Sequence, residues 1–541
     1  MKVTLTRVTG DPVLAIEEAA CNCYDSTPSL DGKIMAHCIK SGHTSVTEFC
    51  NFTFHIEGVS RALLAQLTRH RHAGYAVRSQ RYCSSFGDGW AALPKANGIK
   101  SHQSQHFCNN QEEFLVNIYN KGYSCAEIGE IYNIPPTTIN GIIKKYQPMR
   151  SLSETKGINE NYFDTIDSNI KAYILGLIYA DGCIAVHDRQ SNQYELCIDQ
   201  KSDEEVLMNN ILNQFKTNGN LIRFSDRDII RVAVCSDKIC NDLIKYGITP
   251  QKGLTITFDR ILNNVPHQYV KEVIRGIFEG DGHIDIHGEN NNDARFDIAG
   301  TINTCEAIQN ILIKELGLSK TKIQHISNNC YKLTYGGKPQ VTKIVEWLYS
   351  DSNLVFTHSK KMSVIVRLSP KVFNEYKKQI ANYISTEFEC ITPPSYFQDL
   401  RAINCYITCL EYCRKSYKQI QKSLATRGKY GEESNEDARY ILPNACETKL
   451  EVTMNLRALM NFMNERLCTC AQWEIRQLAR IMRDLIIEQF PQFAPYLVPK
   501  CEKYGKDKGF CNEPKKRSCG RHPLLSDIME DYRHYQDLCN S

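Results

Sequence analysis

Two thirteen-residue stretches, AYILGLIYADGCI at 172–184 and EVIRGIFEGDGHI at 272–284, constrain the fold of this chain more than anything else in it. Each is an apolar helical run that ends in a small residue, Asp and Gly. The two Asp-Gly pairs stand 100 residues apart. Strand-like runs follow each copy: YELCID and IIRVAVCS after the first, ARFDIAG and CYKLTYGG after the second. The economical reading is a duplicated half of αββ type. Gly176 and Ala180 share one helical face, as do Gly276 and Gly280. Small residues at that spacing let two helix backbones approach closely, so the copies are expected to pack on each other.

The chemistry follows from how the helices end. Asp181 and Asp281 lie at helix C-termini, where the negative end of the helix dipole disfavours a carboxylate. Bringing two such carboxylates together adds repulsion. A divalent cation relieves both costs, so the pair is expected to hold Mg2+ and to cleave phosphodiesters by a two-metal displacement. A single Asp-Gly is more simply a cap and turn. Two copies on duplicated units favour the site.

Both segments resemble the paired motifs of LAGLIDADG homing endonucleases in their single-chain, two-half form, over about 160–370. GITPQKGLTITF and LVFTHSKKM are also similar to that family. The resemblance implies Asp181 and Asp281 as metal-binding catalytic carboxylates, with Lys252 and Lys360 as basic residues near the scissile phosphates. The strands would form a saddle in the major groove of double-stranded DNA. Upstream, QEEFLVNIYNKGYSCAEIGEIYNIPPTTINGIIKKY fits a helix-turn-helix over 111–150. Ser124 caps a helix to about Tyr132, NIPP turns, and Thr137 opens a second helix ending in Lys144 and Lys145. Ile128, Ile131, Ile134, Ile139, Ile142 and Ile143 supply the inner face. A small helical hairpin that merely packs is the bland reading; beside an apparent nuclease, DNA binding is favoured. A non-enzymatic repressor or maturase is the competing class.

The flanks, 1–83 and 387–541, read as one protein interrupted by this insert. The first flank suggests a helix at Ile34–Ile39, a strand at 51–58 and a helix from Ser60 to about Thr68; the second reads as mainly helical. The first flank ends in TRHRHAGYAVRSQRYC, with four arginines and two histidines that offer donors to phosphate oxygens or flavin carbonyls. From composition alone it is a basic surface loop. The stretch resembles the signature of flavin-dependent thymidylate synthases, Arg-His-Arg followed by Ser-x-Arg-Tyr. SGHTSVTEF, FTFHIEG and EDARYILPNACETKLEVTMNLRALMNFMNERLCTCAQWEIRQLA are similar to the same family. The resemblance implies flavin contacts at His43, Ser45, Arg69, His70, Arg71, Asn455 and Asn461, and nucleotide contacts at Gln66, Ser79, Arg81, Arg439 and Arg466, with Arg466 catalytic beside the uracil. Ala76-Val77-Arg78 departs from the family, which often has Asn-Glu or Ser-Gln there. The implied reaction converts dUMP to dTMP with methylenetetrahydrofolate, FAD and NADPH, in a homotetramer.

The expected class is therefore an α/β multi-domain protein, a split flavin-dependent thymidylate synthase fold with an inserted helix-turn-helix and a two-half αββ endonuclease domain. Residues 84–110 read as a linker. The net charge of +4 says nothing by itself about nucleic acid. No signal peptide or apolar span is visible, so a cytoplasmic protein without membrane contact is expected, its 24 cysteines reduced. Cys501, Cys511, Cys519 and His522 do not fit the short ligand pairs of zinc sites and read as free thiols in a tail. Removal of the insert as protein would need a nucleophile at its start, such as Cys83 or Ser84. It would also need an Asn before a nucleophile at its end. Asn404-Cys405 is such a pair but lies in synthase-like sequence; removal as an RNA intron is the alternative.

Overall fold

The computed structural model describes residues 1–29, 31–80, 109–121, 123–149, 157–188, 193–215, 220–224, 226–254, 256–288, 293–503 and 509–540. Arg81 and nearly all of the expected linker at 84–110 lie outside these residues. The chain forms two compact units of mixed α/β and α structure. One comprises 1–90, 389–391 and 442–541; the other comprises 91–388 and 392–441. The segment 387–541, expected as one synthase part, is thus divided. The helix Leu400–Ala425 belongs with the middle segment, where the Arg414 guanidinium lies 4.9 Å over the Phe388 ring and Tyr412 accepts from Arg223 at 2.9 Å. Asn404-Cys405 sits inside that helix.

The outer unit is built on a four-stranded antiparallel sheet ordered Lys2–Val8, Asn51–Ser60, Glu447–Asn455 and Ala73–Val77. The Glu447–Asn455 strand pairs on both sides, Asn455 with Asn51 and Met454 with Ala73. It supplies an interior strand, so neither flank completes the sheet alone. The second flank had read as helical; the alternation in ETKLEVTMN, with Thr448, Leu450, Val452 and Met454 inward, is the signal that marks the strand. Its inward residues meet Phe52, Phe54 and Ile56 and the helices Leu456–Arg466 and Trp473–Gln489 in one core. A buried polar joint ties the flanks together. The Glu474 carboxylate accepts from Ser60 N at 2.7 Å and from Ser60 Oγ at 2.5 Å, while Ser60 Oγ accepts from Leu63 N and caps the Arg61–Leu67 helix.

The middle unit begins with three helices, Asn109–Asn120, Cys125–Tyr132 and Pro136–Tyr146. Ser124 and Glu127 form a capping box at the second. Asn133 leaves that helix in the left-handed region, at φ 53°. All six isoleucines of the expected inner face are buried, together with Leu115 and Ile118 of the first helix. Two copies of one topology follow. The first runs from helix Asn169–Asp181 into a sheet ordered Gly182–Asp188, Gln193–Lys201, Ile229–Cys235 and Ile222–Phe224. The second runs from helix His267–Asp281 into a sheet ordered Gln324–Ser327, Cys330–Gly336, Asp293–Gly300 and Gly282–His287. Each half therefore has four strands rather than two. The strands missed in the sequence are edge strands, short or rich in polar residues, whose burial does not alternate cleanly.

Candidate functional site

The two motif helices pack backbone to backbone. A Cβ on Gly176 would fall on the Val273 carbonyl oxygen and within 3.0 Å of Gly276 Cα. A Cβ on Gly276 would fall on the Tyr173 carbonyl oxygen and within 2.6 Å of Leu177 N. One turn further on, a Cβ on Gly280 would strike Ala180 Cβ and stand 2.8 Å from Asp181 Oδ2. The small-residue faces expected from the sequence are what make this approach possible. They bring the two helix ends, and the carboxylates on them, to one place. Each helix then turns directly into a strand. Gly182 and Gly282 stand too close to the last turns at Ile178 and Phe278 for a side chain.

The electrostatics have the expected sign. Asp281 is raised to about 6, first by desolvation and then by the charge of Asp181, although the residue is exposed at the surface. Desolvation also raises Asp181, opposed by the hydrogen bond it accepts from Gln200 Nε2 at 2.7 Å. The second sheet has Gly300 where the first has Gln200, since Ile198 pairs with Gly182 and Ile298 with Gly282. The two halves are therefore chemically unequal at this point. Two converging carboxylates in a desolvated setting, each held on a rigid helix end, are hard oxygen donors of the kind Mg2+ takes.

Two lysines, Lys252 buried and Lys361 half-buried, complete the centre. Lys252 donates to the carbonyls of Tyr179 and Ala180, the second at 2.8 Å, at the end of the first helix. Lys361 donates to the carbonyls of Phe278 at 2.7 Å, Glu279, and Gly280 at 3.1 Å, at the end of the second. Each ammonium group offsets the negative end of one helix dipole. Burial holds both lysines below the ordinary lysine value, against the opposing pull of nearby carboxylates. The sequence had suggested Lys360; that side chain instead pairs with Asp203 at 2.7 Å and is largely exposed. In the Ser359–Leu368 helix the inward position is fixed by its start. Ser359 donates through its N and Oγ to Glu204 at 2.8 and 2.6 Å, and His358 N donates to Glu279 at 2.6 Å. A run of two lysines does not show which of them those anchors turn inward.

In the outer unit, Arg69, His70 and Arg71 occupy the turn between the Arg61–Leu67 helix and the Ala73–Val77 strand. Tyr75 pins that turn by donating to the carbonyls of Leu67 at 2.7 Å and His70 at 3.0 Å. Arg466, at the end of its helix, donates through Nε to His70 Nε2 at 3.2 Å. His70 also meets the edge of the Phe462 ring. Burial and then the Arg466 charge lower His70, so its imidazole is neutral with Nε2 as acceptor. Arg69 and Arg71 are exposed beside it. His43 and Ser45 are exposed at the turn Thr44–Phe49, which is tied to the Leu456–Arg466 helix by Glu48–Arg457 at 2.5 Å. Asn455 caps that helix by accepting from Ala458 N at 2.8 Å, and Asn461 is exposed on it. Gln66 is half-buried in the preceding helix, and Ser79 is half-buried after the strand. Arg439 lies in the middle unit, at the turn Arg439–Ile441. Ala76 and Val77, where the sequence departs from its family, are strand residues paired with Glu451 and Leu450.

Residues 4–205 and 369–492, more than half of the chain, match the family described as thymidylate synthase complementing protein. The chain belongs to this family. Among its relatives, the flavin-dependent thymidylate synthase of Nitratidesulfovibrio vulgaris is 36% identical over 154 residues, covering 28% of this chain and 61% of the relative. That of Clostridium tetani is 37% identical over 162 residues, covering 28% of this chain and 63% of the relative. The chain thus spans somewhat less than two thirds of the length of these two proteins. Among solved structures, the DNA-bound LAGLIDADG homing endonuclease I-LtrWI is similar at 13% identity and a TM-score of 0.26, over 41% of this chain and 97% of that one. No helix among the described residues is long and apolar enough to cross a membrane.

Proposed function

We propose that this chain is a flavin-dependent thymidylate synthase interrupted by a site-specific DNA endonuclease, and that the endonuclease is the complete catalytic centre of the chain as written. The observation that carries this reading is the backbone contact between the Asn169–Asp181 and His267–Asp281 helices, which delivers Asp181 and Asp281 together with a lysine bonded to each helix end. Mg2+ held by the two carboxylates would activate water and stabilise the leaving oxygen of a phosphodiester. Asp181 and Asp281 bind and orient. Gln200 holds one carboxylate, and Lys252 and Lys361 fix the helix ends on which both depend. The two sheets would meet the DNA with a pair of strands each, since the major groove admits a two-stranded ribbon. The Pro136–Tyr146 helix, ending in Lys144 and Lys145, is a further DNA-reading element.

The outer unit supports the synthase reading through family membership and through the His70–Arg466 contact. Arg69 and Arg71 present cationic donors that fit the phosphates of FAD, beside a neutral His70. Arg466 would orient dUMP and polarise its uracil, with NADPH and methylenetetrahydrofolate as reductant and carbon donor. His43, Ser45, Asn455 and Asn461 would border the flavin, and Gln66, Ser79 and Arg81 the nucleotide. Asn455 would do so with its amide group, since its carbonyl oxygen serves the helix cap.

The test is cleavage by the purified full chain, in Mg2+, of a synthase gene lacking the insert. Cutting near the codons for Gln80–Cys83 is the expected result, and intact DNA would contradict it. Asn404-Cys405 is embedded in a helix, which favours removal of the insert as RNA over protein splicing at that pair. Mass spectrometry of the expressed chain should then show only the full-length species.

A further inference from the structure

Beyond residue 492 the chain leaves its family match, and the tail has almost no core of its own. From residue 500 onward, only Cys511 and Leu524 are buried hydrophobics among the described residues. The tail is nevertheless ordered on itself. Phe510 N donates to the Cys501 carbonyl at 3.2 Å, Cys511 N to Pro523 at 2.8 Å, and Leu525 N to Cys511 at 2.9 Å. Segments with so little apolar burial generally need a covalent or metal staple.

Metal-ligating side chains gather at this place. Cys468, Cys470 and Glu513 bring one ligand atom each within 4.8 Å of one another, and so do Cys501, Glu502 and His522. Cys468, Cys470, Glu513, Cys501 and His522 line a single cavity of about 210 Å³. Cys468 and Cys470 come from the loop after the Leu456–Arg466 helix, and the other donors from the tail. The spacing of the tail cysteines alone had argued against a metal; the fold adds the Cys-Thr-Cys pair that the tail lacks. Donors of a tetrahedral zinc site stand about 3.8 Å apart at Zn–S distances of about 2.3 Å, so small side-chain shifts close either trio on an ion. Glu502 lies 3.4 Å from His522, where a carboxylate orients a ligating imidazole. Gly509 has no room for a Cβ, which would stand 2.6 Å from two atoms of the His522 ring. Arg466, Arg517 and Arg521 also line this cavity.

We propose that Cys468, Cys470, Cys501 and His522 bind one Zn2+ that clips the tail to the loop after Arg466. The ion would act structurally, fixing the end of the helix that carries Arg466. The test is metal analysis of the full chain purified from zinc-supplemented medium. About one zinc per chain is expected, falling below about one tenth in the Cys468→Ser/Cys501→Ser double variant. It should be unchanged in Cys405→Ser/Cys409→Ser, whose thiols are exposed on another helix. Cobalt added to the metal-stripped chain should give thiolate charge-transfer absorption and intense tetrahedral visible bands. Zinc-free folded chain, zinc retained by the double variant, or a disulfide among these cysteines would each overturn the proposal. The cobalt spectrum of the unmutated chain decides if the double variant fails to fold.

Discussion

The two units solve the problem of assembling a site in opposite ways. In the middle unit, each half carries its own copy of the same short motif, and one contact between two helices brings the two terminal aspartates together. In the outer unit, the interior strand Glu447–Asn455 comes from the far side of the insert, and the arginine that meets His70 follows that strand. The first arrangement is local and repeated; the second depends on two distant flanks. An inserted sequence is tolerated in the outer unit because its ends leave the sheet after the Ala73–Val77 strand and return before Glu447–Asn455. The core between the flanks is unbroken.

The contrast makes the helix seam the most sensitive point of the middle unit. Gly276→Leu should destabilise that unit by at least about 4 kcal/mol, because the added side chain must displace the backbone of the facing helix rather than a mobile side chain. Thermal unfolding followed by calorimetry should show the middle transition lowered or absent and the outer one unmoved. A shift of both together would mean that the units are not independent. The equivalent lesion in the outer unit is milder. Glu474→Gln removes the charge from the buried joint to Ser60 and should cost about 1.5–3 kcal/mol in the outer transition only. Equal loss in both transitions would break the comparison.

The smallest effect has the opposite sign. Asp281 has a folded value of about 6, above the usual aspartate value near 3.8. Folding is therefore favoured by its protonated form, and that contribution is lost as pH rises through 6. Without metal at pH 7, Asp281→Asn should stabilise the middle unit by about 1 kcal/mol, discounted for the partial exposure of the side chain. The gain should vanish near pH 4, where the native aspartic acid is neutral. Destabilisation by this substitution in metal-free buffer would remove Asp281 from a repulsive pair.

What was legible in the sequence follows the same division. The helices, their glycine faces, Asp181 and Asp281 were readable because the motif is contiguous and repeated. The choice between Lys360 and Lys361 was not, because it is made by Glu204 and Glu279 anchoring the residues before them. The Glu447–Asn455 strand was missed for a related reason: its partners are remote, and the helices on either side dominate the local pattern. In the proposed synthase site, resemblance supplied the residues, but only folding shows that Arg466 meets His70, and that Asn455 already uses its carbonyl oxygen as a cap.

The most direct test of the central claim measures binding and cutting of the insert-free gene side by side, for the unaltered chain, Asp181→Asn and Asp281→Asn in Mg2+. The predicted result is that both variants bind this DNA within about threefold of the parent and cut it not at all, with the parent cutting near the codons for Gln80–Cys83. Cutting retained in either variant, or a parent chain that binds the site and leaves it intact, would contradict a two-carboxylate nuclease at the helix ends.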